Sequence, residues 1–150
     1  LDKWSELAYT QSPDVTIPAG ARVLLDESPP VPLRTLVIDS GAELVVSDFV
    51  NVHVRADAVL VYGKLTAGSE ACPHFHDFVL TLSDGYRRAV PDFLTDSFGT
   101  KVVGVPAGGE LSIYAHVRGP TWTHLAASVR AGDVEITLSD DVSWQAGDPI

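Results

Sequence analysis

KVVGVPAGGELSIYAHVRGPTWTHL, residues 101–125, carries the pattern that decides the fold. Val103 and Val105 alternate as in a strand, and Pro106-Ala107-Gly108-Gly109 supplies a turn. Leu111 and Ile113 alternate again, and Gly119-Pro120-Thr121-Trp122-Thr123 reads as a corner. Period-two alternation broken by Pro/Gly turns argues for half-buried strands rather than helix. Strand, turn, strand and corner make one coil.

Working outward, the same order recurs. Val15-Thr16-Ile17, Pro18-Ala19-Gly20 and Arg22-Val23-Leu24-Leu25 form one instance, with Glu27-Ser28-Pro29-Pro30-Val31-Pro32 as its corner. Leu36-Val37-Ile38, Asp39-Ser40-Gly41-Ala42 and Glu43-Leu44-Val45-Val46 form the next. Asn51 to Arg55, Ala58 to Tyr62, Gly63-Lys64 and Leu65 repeat it, and Phe78 to Leu82 precedes Ser83-Asp84-Gly85. Val134 to Leu138 follows Ala131-Gly132-Asp133 as a sixth. The turn glycines are Gly20, Gly41, Gly63, Gly85, Gly108 and Gly132, at intervals that widen slowly through the low twenties. A period of that size with short strands predicts a solenoid of parallel β-coils, each displaced by about 4.8 Å from the last. Glycine suits such turns because they need positive φ or close approach of neighbouring coils. The rhythm breaks between Gly85 and Lys101, where YRRAVPDFLTDSFGT reads as a loop excursion. Only Lys3 to Tyr9 and Trp122 to Val129 compete as helices, and both are short.

Composition narrows the function classes. A chain of 150 residues, 45% hydrophobic and 20% charged, has the makings of a globular core. Ten Lys+Arg against twenty Asp+Glu leave a net charge of −10, which repels phosphate backbones and anionic lipid, so nucleic acid is excluded as an expected partner. No apolar run approaches the roughly twenty residues of a membrane span, so no direct membrane insertion is expected of this segment. Cys72, the one cysteine, has no internal partner. The start at Leu1 and the strand-like Gly147-Asp148-Pro149-Ile150 read as an excerpt of a longer polypeptide.

These residues, in their order, resemble a known module. Leu36, Ile38, Gly41 and Leu44 begin the series, followed by Gly63-Lys64-Leu65-Thr66-Ala67-Gly68-Ser69 leading to Ala71-Cys72-Pro73. Phe98-Gly99-Thr100-Lys101, Val103-Gly104-Val105 and Gly108-Gly109-Glu110-Leu111 continue it, and Trp122-Thr123-His124-Leu125 and Trp144-x-x-Gly147-Asp148 complete it. The ordered series is similar to the eight-glycine (G-eight) domain of fibrocystin, fibrocystin-like proteins and the cell-migration-inducing hyaluronan-binding protein. The resemblance runs from about Trp4 to Ile150. It implies one module over residues 1–150, at the head of a larger right-handed parallel β-helix in a cell-surface or secreted protein, with further β-helix coils of the same chain beside it. Where the family commonly reads Leu-x-Leu-His-Gly, this chain has Ser112-Ile113-Tyr114-Ala115-His116, so the histidine is displaced and its glycine missing.

Chemistry-bearing residues are few. His74 and His76, beside Cys72 and Asp77, are the metal-ligand candidates, because imidazoles two apart on an extended segment face one way. His-x-His is a common loop motif, and the expectation is no metal and no cofactor. Glycan cleavage needs paired carboxylates roughly 5–10 Å apart. Asp84, Asp92 and Asp96 gather around the excursion, and Arg55 beside Asp57 sits where the family tends to carry arginine, a residue that clamps a uronate carboxylate bidentately. A solvated acidic loop and a structural ion pair account for them better. The turns Asp39-Ser40, Ser139-Asp140-Asp141 and Gly147-Asp148 lack calcium-loop spacing, and Asp and Ser suit turns anyway. His116 and His124 read as structural or surface residues, and Trp122 and Trp144 as core or corner residues rather than a sugar-binding platform.

The resulting expectation is an all-β, right-handed parallel β-helix-like solenoid of about six short coils with one loop excursion. Its expected role is a non-catalytic extracellular or cell-surface module for adhesion, ligand binding or assembly, with an extracellular protein or glycan ligand. The alternatives are part of a hyaluronan-type polysaccharide depolymerase, or the structural end cap of a longer β-helix.

Overall fold

The computed structural model describes residues 1–7, 13–83, 101–116, 119–120 and 122–144. The chain forms two compact units, Leu1–Ala115 and His116–Ile150. The first contains every strand among the described residues: β1 (Asp2–Lys3), β2 (Asp14–Ile17), β3 (Arg22–Leu25), β4 (Leu33–Ile38), β5 (Glu43–Val46), β6 (Val52–Val61), β7 (Lys64–Ala67), β8 (Phe78–Leu82), β9 (Val102–Gly104) and β10 (Glu110–Ile113). A single 3-10 turn, Trp4–Glu6, stands where the first short helix candidate lay, and the second, Trp122 to Val129, is not helical.

All strand pairs are parallel, in two sheets. One sheet runs β1-β3-β5-β7-β10, and the other runs β2-β4-β6-β8 with β9 also on β6. Successive strands from β1 to β8 alternate between the sheets, so each pair β2–β3, β4–β5 and β6–β7 is one turn of a solenoid. Three regular turns are followed by a wider fourth, fewer than the six coils expected. Asp2 pairs with Val23, Arg22 with Glu43 and Glu43 with Lys64, so the first three steps along this sheet are equal in length.

Alternation drives this stacking. Val15, Ile17, Val23, Leu25, Leu44 and Leu65 point between the sheets and are 0–3% exposed, while their neighbours face outward. Each fully buried aliphatic side chain contributes about 1.5–3 kcal/mol. On the outer face Arg22, Glu43, Lys64 and Glu110 stand in register, so charges alternate from coil to coil. Arg22 pairs with Glu43, and Lys64 Nζ lies 2.7 Å from Glu110 Oε1. The hydrogen bond to Glu110 raises the Lys64 pKa above its usual 10.5, aided by the nearby charges of Glu110 and Glu43.

The glycines fall into two classes that one spacing rule had merged. Gly20, Gly41 and Gly108 have φ between +80° and +91° at the third position of four-residue turns. Those turns are closed by Ala21 N→Pro18 O, Ala42 N→Asp39 O and Gly109 N→Pro106 O. Gly63 is not their counterpart. One step back from the Glu43–Lys64 pair, it stands opposite Ala42, and a Cβ there would meet the Ala42 and Asp39 carbonyl oxygens at 2.3 Å. Gly109 is its equivalent in the next coil, with Val61 O at 1.9 Å from a notional Cβ. Gly85 lies outside the described residues.

β4 and β6 share a bend. Leu33 faces the core, then Leu36 and Ile38 do; Ala56 faces it, then Val59 and Val61, while Ala58 and Leu60 belong to a separate cluster on the other face. The phase change occurs at paired positions, since Leu33 opposes Ala56 and Thr35 opposes Ala58. At the bend Thr35 Oγ1 and Arg34 Nε donate to Asp14 Oδ1 at 2.9 and 2.7 Å.

The expected excursion interrupts one strand position. β8 pairs with Val52–Ala56 and β9 with Ala58–Leu60 of the same strand, so the chain leaves the sheet after Leu82 and rejoins it at Val102. Residues 84–100 lie outside the described set.

The second unit departs from the sixth coil that alternation around Val134 predicts. Leu125 bridges Leu138 in antiparallel fashion, with Ala126 N→Thr137 O and Ser139 N→His124 O. Val134 is fully exposed. Alternation alone does not distinguish parallel stacking from an antiparallel loop closed by the turn at Gly132.

Candidate functional site

The two corners that follow β5 and β7 bring together the polar groups of greatest interest. Asp48 lies in the first, and His74, Phe75 and His76 in the second. Asp48 Oδ1 accepts the amide hydrogens of Phe75 at 2.7 Å and His76 at 2.8 Å. Both histidine Nδ1 atoms stand near the same oxygen, His74 at 3.5 Å and His76 at 3.4 Å. The amide hydrogens of His76 and then Phe75 hold the Asp48 carboxyl below its usual 3.8; desolvation opposes them, and the charge of His74 and a bond from the His76 side chain assist.

His74 is buried, and neither of its ring nitrogens has a hydrogen-bond partner. An uncompensated buried polar group costs about 1–3 kcal/mol. Its backbone is held on the opposite side: His74 N donates to Tyr114 O, and His74 bridges Ala115 in parallel fashion. Gly68 permits this closeness, because a Cβ there would meet His74 N and Tyr114 O at 2.5 Å.

His74 and His76 also line a cavity of about 360 Å³ between the sheets of the last coil, with Leu65, Phe78, Leu80, Val103, Leu111 and Ile113 among its walls. Leu111 and Ile113 are in register with the buried Leu65 and Ala67 yet are 42% and 52% exposed. The apolar interior is therefore open at this end. At the other end, the fully buried Trp4 follows β1, the edge strand of its sheet.

His74 and His76 are thus brought together with Asp48, but among the described residues no group of three or more His, Cys, Asp or Glu side chains is arranged to hold a metal ion. Cys72 is exposed in a turn closed by Ser69 N→Cys72 O and Cys72 N→Ser69 Oγ.

Of the glycan-cleavage candidates, Arg55 stands exposed on β6. Asp57 is 3% exposed at the shared bend, and its Oδ1 accepts a 2.9 Å hydrogen bond from Ser83 Oγ. Asp84, Asp92 and Asp96 lie outside the described residues. Asp39 serves its turn, its amide bonding Ile17 O and its carbonyl accepting Ala42 N, and Asp140 accepts a 2.6 Å bond from Thr123 Oγ1.

Trp122 overturns the core expectation, being 69% exposed with its ring edge-on to His124 at 5.2 Å. Trp144 is half-buried and donates from Nε1 to Pro120 O, as a corner residue would. The sequence reading passed over Asp48, Phe49 and Phe75. The available signal was the phenylalanine that each of two corner segments carries among polar residues.

The G8 domain family model matches residues 3–126. The chain belongs to the G8 domain family. Among curated relatives this G8 chain is 30% identical to Protein rliB of Dictyostelium discoideum, over 98% of the chain and 13% of that protein. It is 34% identical to mouse fibrocystin-L over 89% of the chain and 3% of that protein, and 33% identical to human fibrocystin-L over 91% and 3%. The G8 chain thus spans only a small fraction of the relatives it matches. No solved structure matches it. No helix among the described residues is long and apolar enough to cross a membrane.

Proposed function

We propose that this G8 domain is a non-catalytic extracellular module of a large cell-surface or secreted protein, which presents its corner loops for adhesion, ligand binding or assembly. The observation that carries this reading is the contrast between an apolar, regular interior and a set of exposed, hydrogen-bonded corners. A scaffold whose core side chains are 0–3% exposed holds loops in place at little further entropic cost on binding. Family membership with the fibrocystin-L proteins supports the extracellular placement.

The depolymerase alternative draws little from Asp57, a buried carboxylate engaged by Ser83 at the bend. The two readings differ in one assay. The full-length protein incubated with hyaluronan leaves polymer length unchanged if the module is non-catalytic; shortening that Arg55→Ala abolishes without unfolding the protein overturns this reading.

A specific observation also favours an end-cap role within the larger protein. Trp4 is buried beside the first edge strand, whereas Leu111 and Ile113 leave the opposite end open. A plug at one end and open apolar surface at the other suit the first coils of a longer stack, with the terminal edge protected from aggregation. Trp4→Ala in the full-length protein tests this role. The cap reading expects increased aggregation and loss of stability, and an unchanged melting temperature and solubility would refute it.

A further inference from the structure

We infer that the corners after β5 and β7 form a docking surface for a basic, aliphatic-rich protein segment, centred on Phe49 and Phe75. This assignment rests on the module's reading as a presenter of loops and names the kind of partner.

The register carries the first part. Val52 pairs with Phe78, and Asp77 N donates to Asn51 Oδ1 at the same offset along the chain. Counting back along both segments gives Phe49 and Phe75 the same offset, in the corners of adjacent coils. Phe49 is 87% exposed, Phe75 62% and Val50 39%. A single exposed apolar residue on a surface is ordinary, whereas two exposed aromatics at matching offsets in adjacent corners, with a valine beside one of them, make a patch.

The patch is also held still. Val52 N donates to Asp77 O at 2.8 Å, Phe49 N to Ser47 Oγ at 3.3 Å and His53 N to Ser28 Oγ at 2.9 Å. Together with the two amides on Asp48, these bonds tie three successive corners to one another. A preordered aromatic surface loses little entropy on binding, which favours hot-spot behaviour.

Charge selects the occupant. The corner segments 26–32, 47–51 and 68–77 contain Asp26, Glu27, Asp48, Glu70 and Asp77 and no lysine or arginine. An acidic rim around an apolar centre complements a segment that offers aliphatic side chains flanked by Lys or Arg. The same rim repels an anionic glycan or an anionic lipid surface.

The test is a titration of the 15N-labelled 150-residue chain with a synthetic peptide composed of leucine and lysine, alongside its leucine–glutamate counterpart. The expected result is that the lysine peptide shifts the amides of Phe49, Val50, Phe75 and His76 and binds more weakly as salt rises. The F49A/F75A double variant should weaken binding about tenfold or more, in line with the loss of two aromatic anchors. Circular dichroism should find that variant folded as before, because both rings are exposed. The assignment is overturned if the lysine peptide does not bind, if F49A/F75A binds it equally, or if the glutamate peptide binds as well. It is also overturned if sedimentation finds the chain self-associating through these residues in place of binding the peptide. None of those outcomes touches the non-catalytic reading, which the hyaluronan assay tests separately.

Discussion

Replacing Gly63 by alanine should destabilise the solenoid more than replacing Gly41, although only Gly41 has a positive φ. At Gly41 φ is +80° and nothing lies within 4 Å of a notional Cβ. The cost there is conformational, about 1–2 kcal/mol for an L-residue in the left-handed region. At Gly63 the Cβ would sit 2.3 Å from two backbone oxygens, Ala42 O and Asp39 O, against a practical floor of 3.0 Å, so the coils must part by about 0.7 Å. The Lys64 N→Ala42 O bond would stretch from 2.9 Å to beyond hydrogen-bonding range, and the turn bond Ala42 N→Asp39 O, also 2.9 Å, would be strained with it. Two bonds at about 1–1.5 kcal/mol each, with some loss of core contact, come to about 3 kcal/mol. At about 2–4 °C per kcal/mol for a chain of this size, Gly63→Ala should lower Tm by about 6–12 °C and Gly41→Ala by about 2–8 °C. Urea and thermal unfolding followed by circular dichroism would measure both. The reasoning fails if Gly41→Ala costs as much as Gly63→Ala, or if Gly63→Ala lies within about 1 kcal/mol of the parent.

Leu44→Ala, at a fully buried position, should cost about 3 kcal/mol in urea unfolding, whereas Leu111→Ala at the open end should cost less than about 1 kcal/mol; similar losses would mean that the last coil is closed. Glu43→Lys would leave cations on three consecutive rungs with Arg22 and Lys64, and should lower stability by about 1–2 kcal/mol at low salt, recovering in high salt; a salt-independent loss would point to packing instead. The Asp48 carboxyl titrates below its ordinary 3.8, so its contribution is present above that pH and disappears as the pH falls through its lower folded value. Asp48→Asn should therefore be less stable than the parent at neutral pH, with the two urea midpoints converging below about pH 3.8; a gap that persists into acid would refute the assignment. Arg55→Ala, at an exposed position, should shift stability by less than about 0.5 kcal/mol, whereas Ser83→Ala should cost about 1–2 kcal/mol through its bond to the buried Asp57.

Much of the first unit was legible in the chain because its physics is local. Alternation of Val15-Thr16-Ile17 or Leu44-Val45-Val46 tells which side chain turns inward, and a Pro-x-Gly or Asp-Ser-Gly turn tells where the strand ends. The candidate site was only half legible. His74 and His76 announced themselves, but Asp48, far back along the chain, comes to them only through a corner one coil away. Asp57 looked like a partner for chemistry, and burial at a bend made it structural.

The sequence by itself determined that this protein is a β-solenoid, since a period in the low twenties with two alternating strands per repeat admits little else. The class of fold and the position of the excursion followed from it. Only the tertiary structure decided the number of turns and the roles of the glycines. Coil-to-coil contact, invisible to spacing, separates Gly63 and Gly109, which need room for a neighbour's carbonyl, from Gly20, Gly41 and Gly108, which need positive φ. It also turned Val134 to Leu138 from a sixth coil into part of an antiparallel loop. Finally, it left Phe49 and Phe75 exposed in the corners of adjacent coils. Strand propensity is written residue by residue, whereas register between coils is a property of two segments at once.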